Sequence, residues 1–462
     1  MDILRKYSLL VSMPILIYIT GCEPGIFSTE SDHFYFDPVD GDDQHSGTSP
    51  SKAWKTFNRI SGLELGEGNV LYLRGGNTIN GTLKLRDVSA TPEKPLTITA
   101  YGEGRANIDA GDSTGILIEN CKNIVIKNIN IKGSGRLNGN AGNGLVLKFV
   151  EHGDVDSVDV SGFVWNGVQV TGGSKISITH VFSHDNGFAG INVDPGRDHI
   201  FKTGKEFKTM KGLYIGYCVA ENNPGCPLVR DNHSGSGILI SGVTGGVIEY
   251  CEAMNNGWDM PRSGNGPVGI WAYMCDSIII QQCYSHRNKT SAAGKDGGGF
   301  DFDGGMTNSI MQYNHSAWNE GGGFGLFQYG GAAEWSNNVI RYNTSLNDGA
   351  KNSQAGIHVW TDPEAVPMKN CMVYNNIIIS NQKSGVRFEE GSYENFVFES
   401  NIFTLTADSQ SFISGEFAGA WFNNNQYWSF YRSTRNLSQP EVRYDQNPIF
   451  SEPSMDFPML GN

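Results

Sequence analysis

An Asp-Phe-Asp triplet at positions 301–303 is the feature of this sequence best suited to acid–base chemistry. On an extended strand, Asp301 and Asp303 project from one face with their Cα atoms roughly 6.5–7 Å apart. Carboxyl separations of about 5–9.5 Å span both retaining and inverting hydrolysis of glycosidic bonds. Two close carboxylates also repel, which raises one pKa and supplies the protonated acid that a leaving group requires. Asp296 stands just upstream in Asp296-Gly-Gly-Gly-Phe-Asp-Phe-Asp-Gly-Gly, a run whose other reading is a calcium-binding or turn-stabilising loop.

The strand that carries the two aspartates recurs, opened each time by glycine. Its copies begin at Gly167, Gly190, Gly237, Gly269, Gly299, Gly323, Gly356 and Gly385. Alternation turns their Val, Ile and Phe residues inward and leaves two outward columns. The first reads Gln169, Asn192, Leu239, Trp271, Asp301, Gly325, His358, Arg387. The second reads Thr171, Asp194, Ser241, Tyr273, Asp303, Phe327, Trp360, Glu389. Aromatic rings beside acids suit sugars, whose C–H faces stack on Trp while their hydroxyls bond carboxylates. The expected site therefore has Asp301 and Asp303 as catalytic groups, with His358 tuning or replacing the acid. Trp271, Tyr273, Trp360, Arg387 and Glu389 are expected to bind substrate. Hydrolysis of this kind needs no cofactor. A lyase alternative would use Arg387, Arg262 or Lys295, with Ca²⁺ held by Asp296, Asp301 and Asp303. A glycan-binding protein without catalysis would use the same groove. Segments 195–212, 223–236, 256–268 and 287–298 are expected to wall the strip, while Trp258, Trp318 and Trp335 fall outside the columns.

Columns of this kind exist only if the chain stacks on itself, and a repeat says that it does. A Cys or Asn recurs at 218, 251, 283, 314, 343 and 376, at intervals of 29 to 33 residues. Between these positions lie short strands such as Leu213-Tyr214-Ile215, separated by Gly and Asn turns, with no helical period. Single strands of this length bury no core alone, whereas coils stacked on coils form parallel sheets around one tube. Four-stranded propeller blades need longer repeats. The expected fold is all-β, a single-stranded right-handed parallel β-helix of about ten coils, with the Asn position forming an internal ladder.

Composition agrees. The 462 residues carry a formal net charge of -14, which argues against a nucleic-acid partner, and 59 glycines without a collagen period mark tight turns. Seven cysteines beyond Cys22 form no CxxC pair, so buried free thiols are expected. The run Phe34-Tyr35-Phe36-Asp37-Pro38, with Gly41-Asp42-Asp43, Gly47-Thr48 and Ala53-Trp54-Lys55-Thr56, resembles the start of secreted pectin-lyase-like β-helix proteins. Tyr101-Gly102-Glu103-Gly104-Arg105-Ala106-Asn107-Ile108-Asp109 resembles them too. The resemblance implies fold and carbohydrate chemistry, not one reaction, because that fold hosts hydrolases, lyases and epimerases. The Asn-Thr-Asp, Gly-His-Gly and Arg-Ile-Lys motifs of polygalacturonase-like hydrolases are absent from the coil region, and the one Asp-Asp pair is Asp42-Asp43.

At the N-terminus, Arg5 and Lys6 precede an apolar run from Leu9 to Ile19. Ile19-Thr20-Gly21-Cys22 resembles the bacterial lipobox, which implies cleavage before Cys22 and its acylation. The expected organisation is a signal peptide over 1–21, a tether over 22–32 and an N-terminal cap with first coils over 33–110. Groove-bearing repeats follow over 111–430, then a C-terminal cap over 431–462. The expected product is a monomer exported to a bacterial membrane face or cell surface, tethered by lipid on Cys22 and acting on a poly- or oligosaccharide.

Overall fold

The computed structural model describes residues 33–196, 210–389, 391–407, 411–430 and 444–450. Cys22, the signal and tether segments, most of 431–462 and most of the 195–212 loop lie outside the described residues. The described chain is a right-handed parallel β-helix, interrupted only by short 3-10 turns at Pro50–Lys52 and Phe57–Gly62. One coil comprises Val243–Glu249, Glu252–Met254 and Val268–Tyr273. Each strand pairs in parallel with its counterpart in the next coil, Asp276–Gln281, Tyr284–His286 and Gly298–Phe302. The sheet that bears the columns has twelve strands, the first of them Leu83–Arg86, within the expected N-terminal segment.

Inward residues of that sheet stack like on like. Ile238, Ile270, Phe300, Phe324, Ile357 and Val386 are in register and fully buried. The Phe300 and Phe324 rings are stacked at 5.3 Å. All seven described cysteines are free and buried.

The corners of each coil turn through residues in the left-handed region, as at Tyr250 (φ 52°) and Asn255 (φ 56°). Such a conformation costs a non-glycine residue roughly 1–2 kcal/mol, so the corners need support. Two asparagine ladders supply it. In the first, the backbone N–H and side-chain amide of Asn256 both donate to Asn288 Oδ1, at 3.2 and 2.9 Å. Asn288 donates in the same way to Asn319, and Asn319 to Asp348 Oδ1. The second is the expected Asn position, running from Asn314 through Asn343, Asn376, Asn401 and Asn425 to Asp445. Cys283 joins it by donating its backbone N–H to Asn314 Oδ1.

The first ladder also explains the glycines that open the site-bearing strands from Gly167 to Gly323. A Cβ on Gly269 would stand 2.0 Å from Ser285 Oγ and 2.6 Å from Asn288 Nδ2. Glycine is the residue that lets strand and ladder share that space.

Candidate functional site

The first outward column forms rung by rung. Leu239 pairs with Trp271, Trp271 with Asp301, Asp301 with Gly325, Gly325 with His358 and His358 with Arg387. At ~4.8 Å per coil, His358 stands roughly 10 Å and Arg387 roughly 14 Å along the stack from Asp301. In the second column, Ser241 pairs with Tyr273 and Phe327 with Trp360. Asp303 and Glu389 continue it at strand ends, their N–H groups donating to Ala272 O and Val359 O.

The two columns differ in access. Asp301, His358 and Trp271 are buried, whereas Asp303, Phe327, Trp360, Arg387 and Glu389 are half-buried. Phe327 accounts for part of the difference. A Cβ on Gly325 would lie 2.9 Å from the Phe327 ring and 3.0 Å from Asp301 Oδ1, so Phe327 folds over the glycine gap beside that carboxyl. The same ring meets His358 edge-on at 5.4 Å. Trp271 is covered from the other side by the 223–236 loop. His233 packs edge-on against its indole at 4.8 Å, and Trp271 Nε1 donates to Ser236 Oγ at 3.1 Å. The indole therefore lies beneath the loop.

Burial sets the electrostatics. Asp301 is pushed well above the usual carboxylate range, first by burial and then by the Asp303 and Asp296 charges, and its Oδ1 has no hydrogen-bond partner. Asp303 is pushed up to about 7 by burial, with the Asp296 charge adding to it, while Gly304 N–H donates to its Oδ1 at 2.8 Å. The pair thus holds two carboxyls that both resist ionisation, Asp303 losing its proton only near neutrality. At the other end of the strip, the adjacent His358 imidazole and then the Arg387 guanidinium hold Glu389 down at about 2. Glu389 Oε1 lies 3.2 Å from His358 Nε2 and 3.3 Å from Arg387 Nε.

Asp296 stands apart from the Asp301–Asp303 pair in its bonding. Its Oδ2 accepts from Gly266 N–H at 2.7 Å and its Oδ1 from Gln354 Nε2 at 3.2 Å, so both oxygens brace neighbouring loops. Among the described residues, no three His, Cys, Asp or Glu side chains are grouped to hold a metal ion. Upstream, Gln169, Asn192 and Asp194 hydrogen-bond to one another.

The sequence reading did not assign three residues of the site, one of which, Trp335, it had set outside the columns. Tyr329 packs against Gly304, and burial and the Asp303 charge raise its phenol. Extending the two-residue alternation one step past Phe327 would have found it. Trp335 is fully buried in the tube and donates its Nε1 to Phe302 O at 3.1 Å, fixing the peptide between the two aspartates. His233, lowered to about 4 by burial and the Arg262 charge, has a buried Nδ1 without a partner. No local signal marks either of these two, because each reaches the strip across more than thirty residues of chain.

No protein-family model and no curated protein sequence matches this chain. Solved structures do resemble it. A GH136 lacto-N-biosidase from Eubacterium ramulus superposes with a TM-score of 0.56 at 18% identity, over 74% of this chain. The chain spans 64% of that enzyme's length. A mannuronic acid specific polysaccharide family 6 lyase from human gut microbiota gives 0.55 at 12% identity, covering 91% of this chain and 92% of its own. The A-module of an Azotobacter vinelandii mannuronan C-5 epimerase gives 0.52 at 15% identity, over 76% of this chain and 90% of its own. What the chain has in common with all three is the right-handed parallel β-helix.

Proposed function

We propose that this protein is a carbohydrate-active enzyme that hydrolyses glycosidic bonds of a neutral poly- or oligosaccharide, with Asp301 as general acid. Asp301 gives its proton to the departing glycosidic oxygen as the bond to the anomeric carbon breaks. Asp303, ionised, either takes a proton from the attacking water or attacks that carbon itself. The observation that carries this reading is the buried, unpartnered Oδ1 of Asp301, two residues from a carboxyl with a pKa of about 7. Orphaned buried oxygens are rare and call for a ligand, water or catalytic role.

A neutral sugar suits the local field. Asp296, Asp301 and Asp303 repel one another's charge, and Arg387 at the far end is already engaged by Glu389. Trp360, Phe327 and Tyr273 offer half-buried rings along the same strip for sugar faces. No cofactor enters this scheme. Export, lipid attachment at Cys22 and a monomeric state complete the proposal, since a tethered enzyme meets polymers too large to import.

β-Elimination is the second reading, favoured by the likeness to a mannuronate lyase over nearly the whole chain. Product mass separates the two, because hydrolysis adds one water per bond cut and elimination adds none. Incubation with neutral and uronic-acid glycans, comparing parent protein with Asp301→Asn and Asp303→Asn, tests the assignment. Water-added products from a neutral glycan, lost in both variants, are expected. Unsaturated products from a uronate would overturn hydrolysis.

A further inference from the structure

We propose a second, non-catalytic glycan-binding site centred on Trp258, on the turns that lead into the site-bearing sheet. Trp258 is 46% exposed and divides two hollows of about 300 and 350 Å³, each within the size range of small-ligand sites. The first hollow is lined by Arg136, Leu137, Asn138, Asp185 and Pro224, the second by Glu221, Asn255 and Lys289, and Asn222 borders both. Their turns belong to successive coils, so the pair runs roughly 20–25 Å along the tube. Apart from Lys289, on the turn that precedes the Asp301 strand, their lining lies on coils before the one that carries Asp301, beside the tube wall rather than on the strip.

The indole is held in place although it is exposed. Its Nε1 donates to Asn222 Oδ1 at 2.9 Å, and Asn222 Nδ2 donates to Asp185 Oδ1 at 2.5 Å. The Arg136 guanidinium sits 5.7 Å from the ring and binds Gly225 O and Asp259 Oδ2. Arg136 thereby ties together loops 89 and 123 residues away in sequence. Stability alone would not require an aromatic plane, fixed by a hydrogen bond and a half-buried cation, to stand open between two polar hollows. A pre-set platform of this kind loses little entropy when a flat C–H face stacks on it.

The lining also selects the ligand. Arg136 and Lys289 balance Asp185 and Glu221, so neither hollow carries a net field that favours a polyanion. Amide and carboxylate groups suited to hydroxyls flank the indole on both sides. Those features fit consecutive rings of a neutral polysaccharide, held while the strip acts elsewhere on the chain.

Affinity electrophoresis in gels containing xylan, glucomannan, galactomannan, mixed-linkage β-glucan or alginate tests the proposal. Running it in the Asp301→Asn background keeps the outcome independent of whether the strip cleaves. Retardation by at least one neutral polymer is expected, reduced at least tenfold in apparent affinity by Trp258→Ala. Leu137→Trp should weaken binding by filling the first hollow from a side chain that is 65% exposed. Trp318→Ala is the control, because Trp318 is also exposed under an arginine, Arg287, but lines neither hollow. Should Trp258→Ala fail to fold by circular dichroism, Leu137→Trp decides. The proposal is overturned if no neutral polymer retards the protein, if alginate alone does, or if the decisive variant is retarded like its parent.

Discussion

Replacing Asp303 by Asn should make the protein more stable above neutral pH while abolishing turnover. A carboxyl whose ordinary value is 3.8 sits here at about 7, chiefly through burial. At 1.36 kcal/mol per pH unit, ionising it in the folded state costs about 4 kcal/mol more than in the unfolded chain. Part of Asp303 still meets solvent, so roughly half of that, about 2 kcal/mol, is the realistic effect. The sign follows from the raised folded value. Below about pH 3.8 both states are protonated and the cost is absent. It grows as pH rises between the two values and is complete above about 7. Asn keeps an oxygen for the Gly304 N–H and has no charge to bury. For 462 residues the unfolding entropy is about 1 kcal/mol per degree, so Tm should rise by about 2 °C at pH 8 and by well under about 1 °C at pH 4. Differential scanning calorimetry at both pH values is the assay. A variant that is no more stable than its parent at pH 8, or whose gain persists at pH 4, would refute the reasoning.

Asp301→Asn should lower kcat by about 10²–10⁴-fold through loss of the acid, measured on whichever neutral glycan the parent cleaves. For the parent, kcat/KM should climb as pH rises through about 7, where Asp303 ionises; a flat profile from pH 5 to 8 contradicts its assignment. Gly325→Ala brings a methyl to 3.0 Å from Asp301 Oδ1 and 2.9 Å from the Phe327 ring. Overpacking of this kind costs about 1–3 kcal/mol, and activity should fall while the circular dichroism spectrum stays unchanged. Asn319→Ala leaves the buried backbone N–H of Asn288 without its acceptor, which should cost about 1–3 kcal/mol in chemical denaturation.

The stacking order was readable because two simple periods fix it. Alternation along each glycine-opened strand assigns faces, and the recurrent Cys/Asn position assigns register, so Trp271, Asp301, His358 and Arg387 fall on one line, as the pairings confirm. Depth was not readable. That Asp301 and His358 are buried while Asp303 and Arg387 are not depends on how Phe327 folds, which alternation does not encode. The position of Trp271 beneath His233, and the Trp335 bond to the peptide of Phe302, come from loops that meet the strip only after folding. The first ladder, through Asn223, Asn256, Asn288 and Asn319, was not read from the sequence, because its function shows only beside the glycines whose Cβ space it fills.

Both asparagine ladders end on an aspartate, Asp348 in one and Asp445 in the other. An amide receives hydrogens from one neighbour and passes its own to the next, whereas a carboxylate only receives. Each series therefore has a direction and a full stop. Interior coils from Asn223 to Asn319 are interchangeable links, and duplicating one would lengthen the rod without leaving any donor or acceptor unmatched. A copy added beyond Asp348 would be offered no side-chain hydrogen. Rod length can thus drift among descendants of such a sequence, while the coil at which each ladder stops is set by a single oxygen-for-nitrogen exchange.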